Sequence, residues 1–136
     1  MRAHDNHVVG YSVDGQGCRI VLHTENPYAP EPHPRLDVVF VGVEFYQFRF
    51  AMLVSILTEI TEMPLREALE GVRDEIDAGH RRCGWPDRWD PEPARREARL
   101  RELADRGARF FEIVSDIGFD GWVVASGFDY VEQAAE

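Results

Sequence analysis

"LDVVFVGVEFYQFRF" (residues 36–50) is dense in β-branched and aromatic side chains and reads as strand. Its two halves differ. The first is apolar on both faces, whereas the second alternates, with Tyr46, Phe48 and Phe50 set against Gln47 and Arg49. Gly42 lies between the two patterns and is the natural place for a bulge or bend. A strand buried on both sides needs cover on its second face, which predicts a helix packed there.

Upstream, "VVGYSVDGQGCRIVLHTE" (8–25) reads as a hairpin. Asp14-Gly15 is the dipeptide that a two-residue turn favours, with alternating segments on both sides. Such a turn puts Val9, Tyr11, Cys18, Ile20 and Leu22 on one face, and a four-residue turn keeps the same two faces. Cys18 is thus expected as a small core residue. His23 and Glu25 fall on the opposite face. The intervening "NPYAPEPHPR" (26–35) holds four prolines and reads as an extended surface connection.

Downstream, "MLVSILTEITEM" (52–63) fits both periods, and its β-branched content favours strand. "PLREALEGVRDEIDAG" (64–79) reads as one helix, with Pro64 in its first turn and Gly79 ending it. Leu65, Ala68, Leu69, Val72 and Ile76 form its apolar stripe. A second helix is expected with Asp90 as cap, Pro91 at its first position and Gly107 past its end. Glu92–Arg96, Glu97–Arg101 and Glu102–Arg106 are spaced to pair along it, and its thin apolar face suggests a surface position. Residues 108–132 add two or three short strands. Strands, then helices, then strands predict α+β architecture. The expectation is a single domain over 1–136 with an antiparallel sheet of about five to seven strands. Two helices are inserted between strands and packed on one face.

Three segments carry a resemblance: "YSVDGQGCRIVLHTE" (11–25), "DVVFVGVEFYQF" (37–48) and "SDIGFDGWVVAS" (115–126). Together they resemble small bacterial proteins that pair such a hairpin and strand with a late Gly/Asp/Trp turn, and that resemble immunity-type partners in bacterial toxin systems. The resemblance spans about half the chain. It implies an interaction role and carries over no catalytic residue.

Composition narrows the chemistry. All 15 basic residues are Arg, which excludes a Schiff-base or P-loop lysine. The formal net charge of −10 disfavours phosphate backbones, so no nucleic-acid partner is expected, and it favours a basic protein partner. The longest apolar runs are broken by charge and too short for a membrane span. No charged-then-apolar leader opens the chain, which points to a cytoplasmic protein. Two cysteines are too few for a disulfide scaffold or a four-thiolate zinc site. His80 with Cys83, or His4, Asp5 and His7, supply too few ligands or lie in a terminal segment. No metal, no cofactor and no assembled catalytic set is expected.

Most of the distinctive side chains crowd into "HRRCGWPDRWDP" (80–91). Tryptophan is enriched at interface hot spots, and it also anchors loops onto sheets. Trp85, Asp87, Trp89 and Asp90 are the partner-binding candidates if those rings stand exposed. The leading expectation is a non-enzymatic acidic binding protein, an immunity-type inhibitor of a cationic toxin. One alternative is a small enzyme or ligand-binding domain using His23, Glu25 and the Asp116–Asp120 turn around a sheet cleft. Another is a structural homodimer.

Overall fold

The computed structural model describes residues 3–49, 55–86, 89–118 and 120–133. Its elements run β1 (His7–Asp14), β2 (Arg19–Glu25), β3 (Arg35–Val41), β4 (Phe45–Arg49), β5 (Ser55–Met63), α1 (Leu65–Gly71), α2 (Arg73–Cys83), α3 (Pro93–Asp105), β6 (Arg109–Ile117), β7 (Asp120–Ala125) and β8 (Gly127–Gln133). The architecture is α+β with an antiparallel sheet. Among the described residues it has eight strands and three helices, more of each than the sequence pattern predicted. One extra strand comes from the bend at Gly42, which divides residues 35–49 into β3 and β4. The extra helix comes from a break at Val72, whose backbone (φ −108°, ψ 12°) leaves the helical region just after Gly71.

Strand order is β4-β7-β6-β5-β1-β2-β3-β8. The two ends of that order are the same two chain segments. β3 pairs with β8 as far as Val41 opposite Gly127, and β4 pairs with β7 from Phe45 opposite Val124. Across the junction Ser126 N–H donates to Val41 O (2.9 Å) and Glu44 N–H donates to Val124 O (2.8 Å). Hydrogen bonding therefore continues through the bend, and the sheet folds back into two layers whose corner is made by strands that switch layers. On the other side His7 pairs with Ile56, and Val8 with Ser55, joining β1 to β5. Gly42 makes the corner possible. Its φ is +61°, and a Cβ there would fall on the Ser126 hydroxyl.

The space between the layers is filled by alternate residues: Ile20 and Leu22 of β2, Leu36, Val38 and Phe40 of β3, Phe111 and Ile113 of β6, and Val123 and Ala125 of β7. A buried polar chain crosses one end. Asn6 donates to Thr24 Oγ1 (3.1 Å), and Thr24 donates to Leu36 O (2.5 Å), so both buried groups find partners. The opposite parity of β4, β6 and β7 (Phe45, Phe110, Trp122, Val124) forms a second core beneath the helices with Leu69, Ile76, Leu100 and Leu103.

Four local expectations shift. The β1–β2 loop takes four residues, because Asp14 faces Arg19 and Asp14 Oδ1 accepts from the N–H groups of Gln16 and Gly17. Cys18 thereby sits in the loop at φ 52°, exposed, and is not a core residue. A bulge between Val8 and Gly10 also moves Val9 out of the core register. The helix cover over this strand lies on β4, at Phe45, beyond the bend. Past the break, the helix continues beyond Gly79 to Cys83 and ends on Gly84 in the left-handed conformation. Residues 55–63 are strand as predicted, while 52–54 lie outside the described residues.

Gly42→Ala should lower the unfolding free energy by more than the ~1–2 kcal/mol left-handed penalty alone. Adding Ser126→Gly should recover the excess in urea titrations. An identical loss with and without Ser126→Gly would mean that only the backbone angle matters at Gly42.

Candidate functional site

The segment between α2 and α3 contains two tryptophans that behave oppositely. Trp89 is 3% exposed and Trp85 is 48% exposed. Trp89 Nε1 donates to Asp77 Oδ1 (2.8 Å), and its ring meets Phe45 edge-on. Trp122, from β7, is 2% exposed; it donates to Glu75 Oε2 (3.1 Å) and stacks on Phe110. An indole N–H buried without an acceptor would lose a hydrogen bond, and two carboxylates on α2 supply the acceptors. These two bonds dock α2 onto the sheet and against the following segment. Glu75 also accepts from Arg49 (3.1 Å), which reaches Asp120 at 3.6 Å.

Trp85 stands at a groove of about 470 Å³ lined by Phe45, Tyr46, Gln47, Ile76, Gly79, Arg82, Cys83, Pro86 and Trp122, among others. Successive strand residues point to opposite faces, so a groove touched by Phe45, Tyr46 and Gln47 in succession must run along the edge of β4. Among the described strands β4 pairs with β7 alone. The far wall is α2 and its connection. His80 Nδ1 donates to the Pro86 carbonyl (2.9 Å). Burial, then the neighbouring Tyr11, pushes the Tyr46 phenol above its ordinary value, so Tyr46 is a neutral hydrogen-bonding group there.

Of the remaining candidates, Asp87 lies outside the described residues. Asp90 does not cap α3. Its Oδ1 accepts from Glu92 N–H (2.8 Å) and its Oδ2 from Arg95 (3.0 Å), while Glu92 caps the helix and Pro93 takes its first turn. The cap moves two residues on because Asp90 bends the chain ahead of it. Among the expected helical pairs, Glu97–Arg101 and Glu102–Arg106 form at 3.5 and 3.1 Å. Glu92 instead receives Arg95 N–H.

The carboxylates and His23 do not assemble one cleft. Asp120 serves Arg49, whereas His23, on β2, faces Asp37 of β3. Among the described residues no group of three or more His, Cys, Asp and Glu side chains is placed to hold a metal ion, and Cys18 and Cys83 are both free and exposed. Sequence reading missed Glu75, Asp77 and the groove beside β4. Two carboxylates beside Ile76 on the buried stripe were the available sign that the helix offers acceptors inward.

Two measurements follow. Trp89→Phe should cost about 1–2 kcal/mol by stranding the Asp77 acceptor, and Trp85→Ala should stay within about 0.5 kcal/mol, both by chemical denaturation. The Glu92 N–H, then Arg95, holds the Asp90 carboxyl below its ordinary value. A depressed folded pKa gives stability that is present at neutral pH and lost as pH falls through the folded value. Asp90→Asn should therefore shrink the loss of stability on acidification; an unchanged acid limb would remove Asp90 from that role.

Comparison with protein-family models, with curated proteins and with solved structures finds no match to this chain.

Proposed function

We propose that this chain is a cytoplasmic binding protein of the bacterial immunity type, which captures an extended segment of a cationic toxin in the groove between β4 and α2. Its action there is occupancy, with no chemistry required. The observation that carries the reading is Trp85, half exposed beside an apolar groove while the other two tryptophans are fully engaged in the core. A large ring at an open groove is the profile of an interface anchor. Among the described strands β4 pairs with β7 alone, so an extended segment laid along the groove would add strand-like pairing beside β4, and the groove would take its alternate side chains. Asp74 and Glu67, exposed on the helices, and the formal charge of −10 favour a basic partner during encounter.

No helix among the described residues is long and apolar enough to cross a membrane. The same acidic balance disfavours nucleic acid as the ligand. The homodimer alternative would use the same edge, pairing β4 with its copy.

The test is binding of the chain to the purified product of an adjacent toxin gene, followed by calorimetry at several salt concentrations. Affinity should fall as salt rises, and Trp85→Ala should weaken it at least tenfold, about 1.4 kcal/mol. Salt-independent binding, or binding unchanged by Trp85→Ala, would exclude the groove as the site. Self-association that Trp85→Ala abolishes would favour the homodimer.

A further inference from the structure

The outer face of the β1-β2-β3-β8 layer, away from the groove, carries a second constellation. His23 and Asp37 are directly opposite in register, and Ser12 sits diagonally from His23, opposite Val21. His23 Nδ1 lies 3.1 Å from Asp37 Oδ1, and His23 Nε2 lies 3.5 Å from Ser12 Oγ. The Asp37 side chain is 10% exposed and that of His23 is 32% exposed. In the tautomer whose Nδ1–H donates to the Asp37 carboxyl oxygen, the other ring nitrogen carries no proton. Nε2 is then left as an acceptor aimed at the Ser12 hydroxyl. Serine, histidine and aspartate in this relation are recognised by geometry and role rather than by position in the chain, and the nucleophile–base contact is commonly loose before substrate arrives.

The surroundings define a substrate class. Val21 lies opposite Ser12 on this face with the buried Val39 beside it, and Val131 stands exposed opposite Asp37. That surface suits a short aliphatic acyl chain.

We propose that Ser12, His23 and Asp37 form a nucleophilic site that hydrolyses carboxylic esters of short aliphatic acids. Ser12 Oγ attacks the ester carbonyl as its proton passes to His23 Nε2. The ester C–O bond breaks, and the alcohol leaves with that proton. Water then attacks the acyl-serine, its proton passing through His23 to Ser12 Oγ, which releases the acid. The balance is ester plus water to acid plus alcohol. Asp37 is a positioning residue that holds the imidazole tautomer. This site is independent of the groove, so its failure leaves the binding reading untouched.

The probe is p-nitrophenyl butyrate, read by nitrophenolate release and by mass spectrometry of the tryptic peptide ending at Arg19. The full-length chain should give a butyryl adduct on Ser12. Ser12→Ala should abolish it, and His23→Gln should slow acylation by about a hundredfold or more. Asp37→Asn should slow it comparably, and Asp37→Glu should restore part of the rate, which a merely structural role would not produce. Circular dichroism of each variant separates loss of chemistry from loss of fold, and Ser12→Ala, at an exposed position, serves as the fold-neutral variant. An adduct elsewhere than Ser12, no adduct, or acylation of folded His23→Gln at the unaltered rate would each overturn the proposal.

Discussion

The bend shared by Gly42 and Ser126 is the constraint on which the rest of the molecule depends. Two strands would otherwise extend straight and leave a single flat sheet with one face too many to cover. Turning both together, with their hydrogen bonds continuous through the corner, brings β2 and β3 over β6 and β7. The interior between layers is then closed by Phe40, Phe111 and Val123 without help from a helix. A backbone that turns sharply while keeping its partner must approach that partner closely, and only a residue lacking Cβ tolerates both the angle and the distance.

The helices consequently have one task, which is to cover the outside of β4, β6 and β7. They are attached with two kinds of bond. Leu69, Ile76, Leu100 and Leu103 supply apolar burial, and carboxylates on α2 receive the tryptophan N–H groups that burial would strand. Arginine clamps tie the elements at their margins. Arg66 grips Glu97 between α1 and α3, and Arg106 reaches from beyond α3 to Glu44 at the corner. Buried Arg99, 3.2 Å from Glu102 and 4.0 Å from Glu44, belongs to the same group. Exposed pairs of this kind contribute little individually, but they fix how the layer is oriented.

Much of the strand content was legible in the sequence, and so was the special place of Gly42, because alternation and β-branching report directly on a pleated surface. Layer closure was not legible: it depends on Val41 meeting Gly127 and Phe45 meeting Val124, pairs far apart in the chain that carry no local signature. Both a two- and a four-residue turn fitted Asp14, and the longer one forms; what was misjudged is Cys18, which the longer loop takes out of the strand and exposes. At the candidate site, composition flagged Trp85 and Trp89 equally. What separates them is Asp77, a residue whose inward orientation becomes known only when α2 is docked.

The closure has a consequence in time. The strands that form the corner are far apart in the sequence, Arg35 pairing with Gln133 and Arg49 with Asp120. Loop closure across such separations is entropically costly and slows folding. During synthesis β1, β2 and β3 emerge early and can form a hairpin-based sheet, but β3 waits for β8, its partner on the side away from β2, to leave the ribosome. Until then the nascent chain presents a long apolar strand with open hydrogen-bonding groups, the kind of surface that chaperones shield and that neighbouring chains can capture.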